Sequence, residues 1–355
     1  MEKTYELMPN AKMLLSSLRS VGYTEETAIA DIVDNSISSG ANTIQLYFDW
    51  DDQTILIADN GKGMQKKELL DSMKIGSSDP GVTRSASDLG RFGMGMKTAS
   101  FSLGKQLLVI SKQKDEINNA EWNLEYVENE DKWEILIHSD EKIDTYIKSK
   151  TDKIEFQNWD EGTLISLSML DKLIDENNMQ KSKVKFYKTV EKVKKHLAMI
   201  FHRFIEEDNL QIYVNKNLLE AWNPFIRQNP ATMELACEEL FDGKTIVSIE
   251  PYILPHKTKF EDEEAFKKAG GAKDWLAHQG FYVYRNRRLI VYGTWFGKFK
   301  KEPAYNLARI KLDMSSESDF EWGIDIKKSK ATLPVSIVQF TTPSGLHSVL
   351  ERPFS

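Results

Sequence analysis

Between Thr24 and Gly61 the hydrophobic period of the chain changes once, and that change limits what it can fold into. In "TEETAIADIVDNSISSGA" the residues Ala28, Ile29, Ala30, Ile32, Val33 and Ile37 gather on one side of a helical wheel. "TIQLYFDW" (43–50) and "TILIADNG" (54–61) then read as two strands joined through "DDQ" as a hairpin. A helix with an apolar face followed by a hairpin makes this region α/β. Thr24 is the natural cap at the start of the helix, and glycine stops it. Its other face carries Asp31 and Asn35 one turn apart, about 40° from each other on the wheel. Thr27, Asp34 and Ser38 widen that polar face. Alone this is an ordinary amphipathic helix, so the neighbouring stretches decide whether the polar face binds anything.

The pattern predicts further helices over 8–20, 65–74 and 96–103, a glycine- and serine-rich loop over 76–95, and strands at 106–112, 121–127, 132–139 and 162–170. Residues 180–206 read as one long basic helix, followed by the strand "LQIYVN". "EAWNPFIRQNPAT" (220–232) reads as a connector, and "KTIVSIEPYIL", "GFYVYRNRRLIVYG", "ARIKLDM" and "WGIDIKKSK" as strands. A length of 355 residues suggests two domains, with the boundary near 218. The single cysteine, Cys237, excludes a disulfide framework or a cysteine zinc site within one chain. With no signal-peptide core and no membrane-spanning run, it fits a reducing, cytoplasmic setting. A formal charge of −7 gives no global attraction to nucleic acid, though it permits a local basic groove.

Three more stretches carry chemistry. "ADNGKGM" (58–64) ends a strand in Asp59, followed by Gly61 and Gly63. A carboxylate at a strand end can accept from an exocyclic amino group, and glycines allow close approach of a flat ligand. "DLGRFGMGMKTAS" (88–100) sets Gly90, Gly93 and Gly95 before a helix start, where backbone N–H groups and the helix dipole suit phosphate. It is not a Walker A loop, because Met96 separates Gly95 from Lys97, and Thr98 stands where GxGxxG needs its third glycine. "EGTLISL" (161–167) opens a strand with Thr163.

The order and spacing of these four stretches resemble the GHKL ATPase superfamily, which includes DNA gyrase, MutL-type mismatch-repair proteins, MORC proteins, histidine kinases and the large heat-shock chaperones. The resemblance covers about residues 8–170. "LGRFGMGMKTASFSLGKQLLVISK" (89–112) is most similar to MORC proteins and their bacterial relatives, and "DIVDNSISSGA" also resembles MutL-type proteins.

The resemblance implies a Bergerat-fold two-layer α/β sandwich that binds ATP and Mg²⁺. It makes Asn35 the magnesium ligand, Asp59 the acceptor for the adenine amino group, and Gly61, Gly63 and Met64 the surroundings of the base. It makes roughly Gly76 to Thr98 the phosphate lid, with Gly90, Arg91, Phe92, Gly93, Met94, Gly95, Met96, Lys97 and Thr98 binding the nucleotide, and Thr163 a support for adenine through Asp59 and water. The residue that activates water is usually Glu in relatives that hydrolyse ATP. Here it is Asp31, one methylene shorter, which implies slow turnover or a relay through an extra water. Asp34 is the expected outer neighbour of the metal site.

Residues 1–218 are thus expected to be the ATP-binding domain and 219–355 an α+β transducer-like domain. In that module a lysine meets the γ-phosphate. Lys328 and Lys330 share one side of an extended segment while Lys327 points away. Two stretches are locally basic. Residues 181–203 hold eight Lys or Arg against one Glu, and 281–302 hold six against one, interleaved with aromatics. The leading expectation is an ATP-dependent homodimeric clamp on DNA, closing through the lid and the segment 1–12. A chaperone-like or regulatory nucleotide switch acting on protein partners is the alternative. The end at "ERPFS", soon after the transducer-like half, suggests a truncated or minimal form.

Overall fold

The computed structural model describes Tyr5 and residues 10–76, 95–325, 331–334 and 337. The described residues divide into two compact units, one built on residues 10–76, 95–196 and 209–219, the other on 197–208 and the described residues from 220 onward.

The helices are α1 (Ala11–Arg19), α2 (Glu25–Ser38), α3 (Lys66–Met73), α4 (Gly95–Leu103), α5 (Leu124–Glu130), α6 (Asp140–Lys148), α7 (Met179–Ile200), α8 (His202–Glu207) and α9 (Glu263–Ala269). The first unit's strands are β1 (Thr43–Asp49), β2 (Thr54–Asp59), β3 (Gln106–Gln113), β4 (Glu116–Asn123), β5 (Gly162–Ser168), β6 (Gln211–Val214) and β7 (Asn217–Leu218). They form one sheet in the order β4-β3-β5-β2-β1-β6-β7, antiparallel except where β6 lies parallel to β1.

Register assigns the two faces. Leu46, Ile57, Ile165 and Val109 stand opposite one another across four strands, and residues directly opposite share a face. α2, α4 and α7 cover this face: Ser36 of α2 bonds Asp59, Phe101 of α4 meets Trp122 edge-on, and Phe186 of α7 meets Phe48. On the reverse face Leu56, Ala58, Leu108, Ile110 and Leu164 pack under Ile143 and Ile147 of α6 and under Ile154 and Phe156. With both faces covered, all six residues of β2 are buried.

The expected start of α2 is found: the Thr24 hydroxyl accepts from Thr27 N–H, and Thr27 Oγ1 accepts from Thr24 N–H at 3.1 Å, a reciprocal cap. Several sequence expectations need correction. The strand expected over 121–127 ends at Asn123, whose side chain caps α5 by accepting from Tyr126 N–H at 3.1 Å. Leu124 and Val127 are buried one turn apart, so a helical period overrides the apparent alternation, and Asp131 at φ +51° stops the helix. The strand expected over 132–139 is a single bridge between Leu136 and Glu121, beyond which the Asn119 side chain takes the backbone groups of His138. The long helix over 180–206 is interrupted at Phe201, where α7 gives way to α8.

The second unit holds β8 (Met233–Glu234), β9 (Glu238–Phe241), β10 (Ile246–Ile253), β11 (Gly280–Arg285), β12 (Arg288–Thr294) and β13 (Ala308–Met314). Their order is β12-β11-β13-β10-β8, with β9 also paired to β10 and β11 parallel to β13. Phe281, Val283, Ile310, Leu312 and Trp322 lie in its core. The strand expected from Trp322 is corrected too. Residues 322–325 turn tightly, with Gly323 at φ +55° and Ile324 N–H donating back to Asp319. The bidentate Arg285–Asp319 pair, at 2.6 and 2.8 Å, and Trp322 Nε1 donating to Asp242 hold this segment.

Candidate nucleotide site

The site is built where α2 crosses the end of the sheet. Asp59, Thr163 and Ser111 stand directly opposite one another on β2, β5 and β3, so one row of polar residues closes the helix-covered face. Asp59 is 4% exposed. One carboxylate oxygen accepts from Ser36 Oγ at 2.8 Å and the other from Gly61 N–H at 3.0 Å. Burial pushes its pKa up, opposed by the Ser36 hydroxyl, the backbone of Gly61 and Thr163, and Ser39. The Thr163 and Ser111 hydroxyls lie 3.1 Å apart. The site thus presents a carboxylate fixed at both oxygens, next to two hydroxyls that can each donate or accept.

Two glycines let the chain close around Asp59. A Cβ at Gly61 would collide with the Ser39 side chain, and one at Gly63 would run into the Lys112 carbonyl oxygen, with φ already +63°. Their immediate requirement is close approach of the protein to itself.

One turn earlier on α2, Asp31 is 3% exposed and its Oδ2 accepts from the Tyr23 hydroxyl at 2.7 Å. Gly95 opens α4 against the same carboxylate, where a Cβ would stand 3.6 Å from Asp31 Oδ2. Asn35 is exposed and donates its amide N–H to the Asp31 carbonyl at 3.0 Å. That bond uses the amide nitrogen, so the side chain's oxygen is the atom a hard cation would take. One amide oxygen together with waters and phosphate oxygens suits Mg²⁺. Among the described residues no group of three or more His, Cys, Asp or Glu could hold a metal by itself. Asp34 is fully buried beside Asn35.

Lys97 is 3% exposed, and its ammonium donates to the Ser72 carbonyl at 2.6 Å, in the last turn of α3. Burial lowers its pKa to about 8. Thr98 is buried, its hydroxyl donating to Gly95 O at 3.2 Å. Met64 and Met96 are half-buried. Gly90, Arg91, Phe92, Gly93, Met94, Lys327, Lys328, Lys330 and most of segment 1–12 lie outside the described residues. The structure therefore brings Asp31, Asn35, Asp59, Gly61, Gly95 and Thr163 together around α2. It adds four residues that motif reading passed over: Tyr23, Ser36, Ser39 and Ser111. Ser36 directly follows Asn35 in sequence, and Ser111 becomes visible only once strand register is known.

Residues 23–160 match the family described as histidine kinase-, DNA gyrase B-, and HSP90-like ATPase. The chain is similar to ATPase morc-1 of Caenorhabditis elegans, at 32% identity over 114 residues, 31% of this chain and 13% of that protein. It is also similar to two mouse proteins. MORC family CW-type zinc finger protein 3 is 30% identical over 93 residues, covering 24% of this chain and 10% of that protein. ATPase MORC2B is 26% identical over 93 residues, covering 25% and 9%. The chain thus spans about a tenth of the length of the curated relatives it matches. No described helix is long and apolar enough to cross a membrane.

Proposed function

We propose that residues 23–160, which match the histidine kinase-, DNA gyrase B-, and HSP90-like ATPase family and resemble MORC proteins, form a GHKL-type ATPase domain, and that the chain binds ATP with Mg²⁺, hydrolyses it slowly, and uses the cycle to close a homodimeric clamp on DNA. Residues 1–218 are the nucleotide-binding part in this reading and 219–355 the transducer-like part. The observation that carries it is the single helix α2, which fixes Asp59 through Ser36 and presents Asp31 and Asn35 one turn away.

Asp59 accepts from the exocyclic amino group of adenine, with Thr163 and Ser111 supporting the base edge directly or through water. Gly61 and Gly63 let the chain after β2 fold closely against Ser39 and Lys112 at the edge of the base site, and Met64 flanks it. Asn35 supplies the protein's oxygen to magnesium, which when bound offsets phosphate charge. The lid, roughly Gly76 to Thr98, gives backbone N–H groups to the phosphates. Lys97 already donates to Ser72, so a phosphate that recruits it has to compete with that carbonyl. Asp31 accepts a proton from water as the water oxygen attacks the γ-phosphorus. The bond to the β-phosphate's bridging oxygen breaks, and ADP and inorganic phosphate leave. Lys328 or Lys330 meets the γ-phosphate and reports its loss.

A chain that binds nucleotide and hardly turns it over, acting as a switch for a protein partner, is the second reading. The short Asp31 side chain, tied to Tyr23, favours it. The two separate by experiment. A DNA clamp shows DNA-stimulated ATPase activity, salt-dependent DNA affinity and a dimer with a non-hydrolysable ATP analogue. A persistent monomer indifferent to DNA rejects the clamp.

A further inference from the structure

α7 carries its cations in an ordered pattern. Lys181, Lys185, Lys188, Lys192 and Lys195 are all exposed. Steps of four and three residues place them within about 80° of one another around the helix, along about 21 Å of its axis. The face that α7 buries holds Ser182, Phe186, Thr189, Val190 and Val193. The one acid in the stretch, Glu191, borders the row, about 40° from Lys195 around the helix, and is engaged by Lys194 at 2.9 Å. Lys183 leans over Trp50 instead. Lys185 donates to the Lys172 carbonyl at 2.5 Å and lies 3.9 Å from Glu25. Among the described residues Lys181, Lys188, Lys192 and Lys195 form no ion pair.

The other basic stretch engages four of its six cations within the chain, while Lys298 and Lys300 stay exposed. Arg285 is buried against Asp319, Arg287 bridges Glu207 and Asp208 at 2.7 Å, and Arg288 is buried over the Phe201 ring. Lys301 donates to the Ala277 carbonyl.

We infer that the α7 lysine row is a docking ridge for the phosphate backbone of duplex DNA. This rests on the DNA-handling reading above and locates its contact surface within the nucleotide-binding unit. Lysines at regular steps of about 5 Å match a repeating polyanion, and a duplex carries one charge per about 1.7 Å of its axis. Protein interfaces are depleted of lysine at their core and draw on aromatic anchors; here five lysines stand beside one exposed aromatic, Tyr187. A bilayer is disfavoured because α7 buries Phe186, Val190 and Val193 in its own unit, and the apolar side chains it leaves exposed, Met179, Val184 and Tyr187, are spread around the helix and form no continuous inserting face.

The test uses the full chain, a fluorescent duplex and anisotropy between 50 and 200 mM salt. Lys188→Gln with Lys192→Gln weakens DNA affinity at least tenfold and lowers the log–log salt slope by about 2, while ATP affinity is unchanged. Lys188→Arg with Lys192→Arg keeps both, and Lys267→Gln in the second unit changes neither. If the wild type binds duplex and the glutamine pair binds with the same affinity and slope, the ridge is overturned and DNA handling stands. If the wild type shows no salt-dependent binding to duplex, DNA handling and the ridge fall together. Binding by this row to phosphatidylserine vesicles in preference to duplex also overturns it.

Discussion

The hydroxyl of Tyr23 donates to Asp31 Oδ2 across 2.7 Å, from just before the cap of α2 to a carboxylate within the helix. Tyr23 is only half-buried, whereas Asp31 is 3% exposed, so the phenol reaches in and fixes one oxygen of a carboxylate that cannot relax into water. In the proposed reaction it sets where the short side chain points. Tyr23→Phe is expected to lower kcat about tenfold with little change in KM and to cost about 1 kcal/mol of stability, the loss of one hydrogen bond to a buried carboxylate. Asp31→Asn is expected to keep nucleotide binding and stop turnover. Steady-state kinetics beside isothermal titration check both, and unchanged kcat in Asp31→Asn removes it as the base.

Asp59 is expected to set base preference. A carboxylate fixed by Ser36 and Gly61 accepts hydrogen bonds and, when ionised, cannot donate one, so a purine with a 6-oxo group meets an acceptor where it needs a donor. The wild type should bind ATP at least a hundredfold more tightly than inosine triphosphate. Asp59→Asn, whose amide can donate, should reduce that ratio to below about tenfold. Competition binding with the two nucleotides measures it, and an unaltered ratio rejects Asp59 as the reader of the base.

Gly63 is a test of packing. It has φ +63° and the Lys112 carbonyl where a Cβ would go. Gly63→Ala combines left-handed strain with a clash against backbone and is expected to lower unfolding free energy by more than about 2 kcal/mol in urea titration.

Lys97 gives a pH dependence whose sign follows from its burial. Its pKa is lowered from 10.5 to about 8. Between these values the unfolded chain still binds a proton that the folded chain has released, so this lysine's contribution to stability rises with pH across that window and is least below pH 8. Lys97→Met removes the dependence. The unfolding free energy of wild type minus variant should increase from pH 8 to pH 10, and a flat difference would contradict the burial argument.

Much of the first unit could be read from the sequence because its signals are local. The Thr24 cap, the apolar stripe of α2 and the hairpin through Trp50–Gln53 are set by neighbours in the chain. The same local reading misled at 121–139. Trp122, Leu124 and Tyr126 alternate like a strand, but burial of Leu124 and Val127 and the Asn123 cap favour a helix. It likewise missed the turn after Asp319, which depends on Arg285 from β11. The polar row Asp59–Thr163–Ser111 joins residues more than 50 positions apart and exists only in the strand register. Tyr23 gave no motif signal, because its role depends on the path of the chain into α2.

The most direct test is isothermal titration of the folded full chain with ATP and Mg²⁺, repeated with Asn35→Ala. The account predicts one nucleotide bound per chain in the wild type and abolished Mg–ATP binding in the variant. A folded wild type that takes up no adenine nucleotide, or an Asn35→Ala variant that binds Mg–ATP as the wild type does, would contradict it.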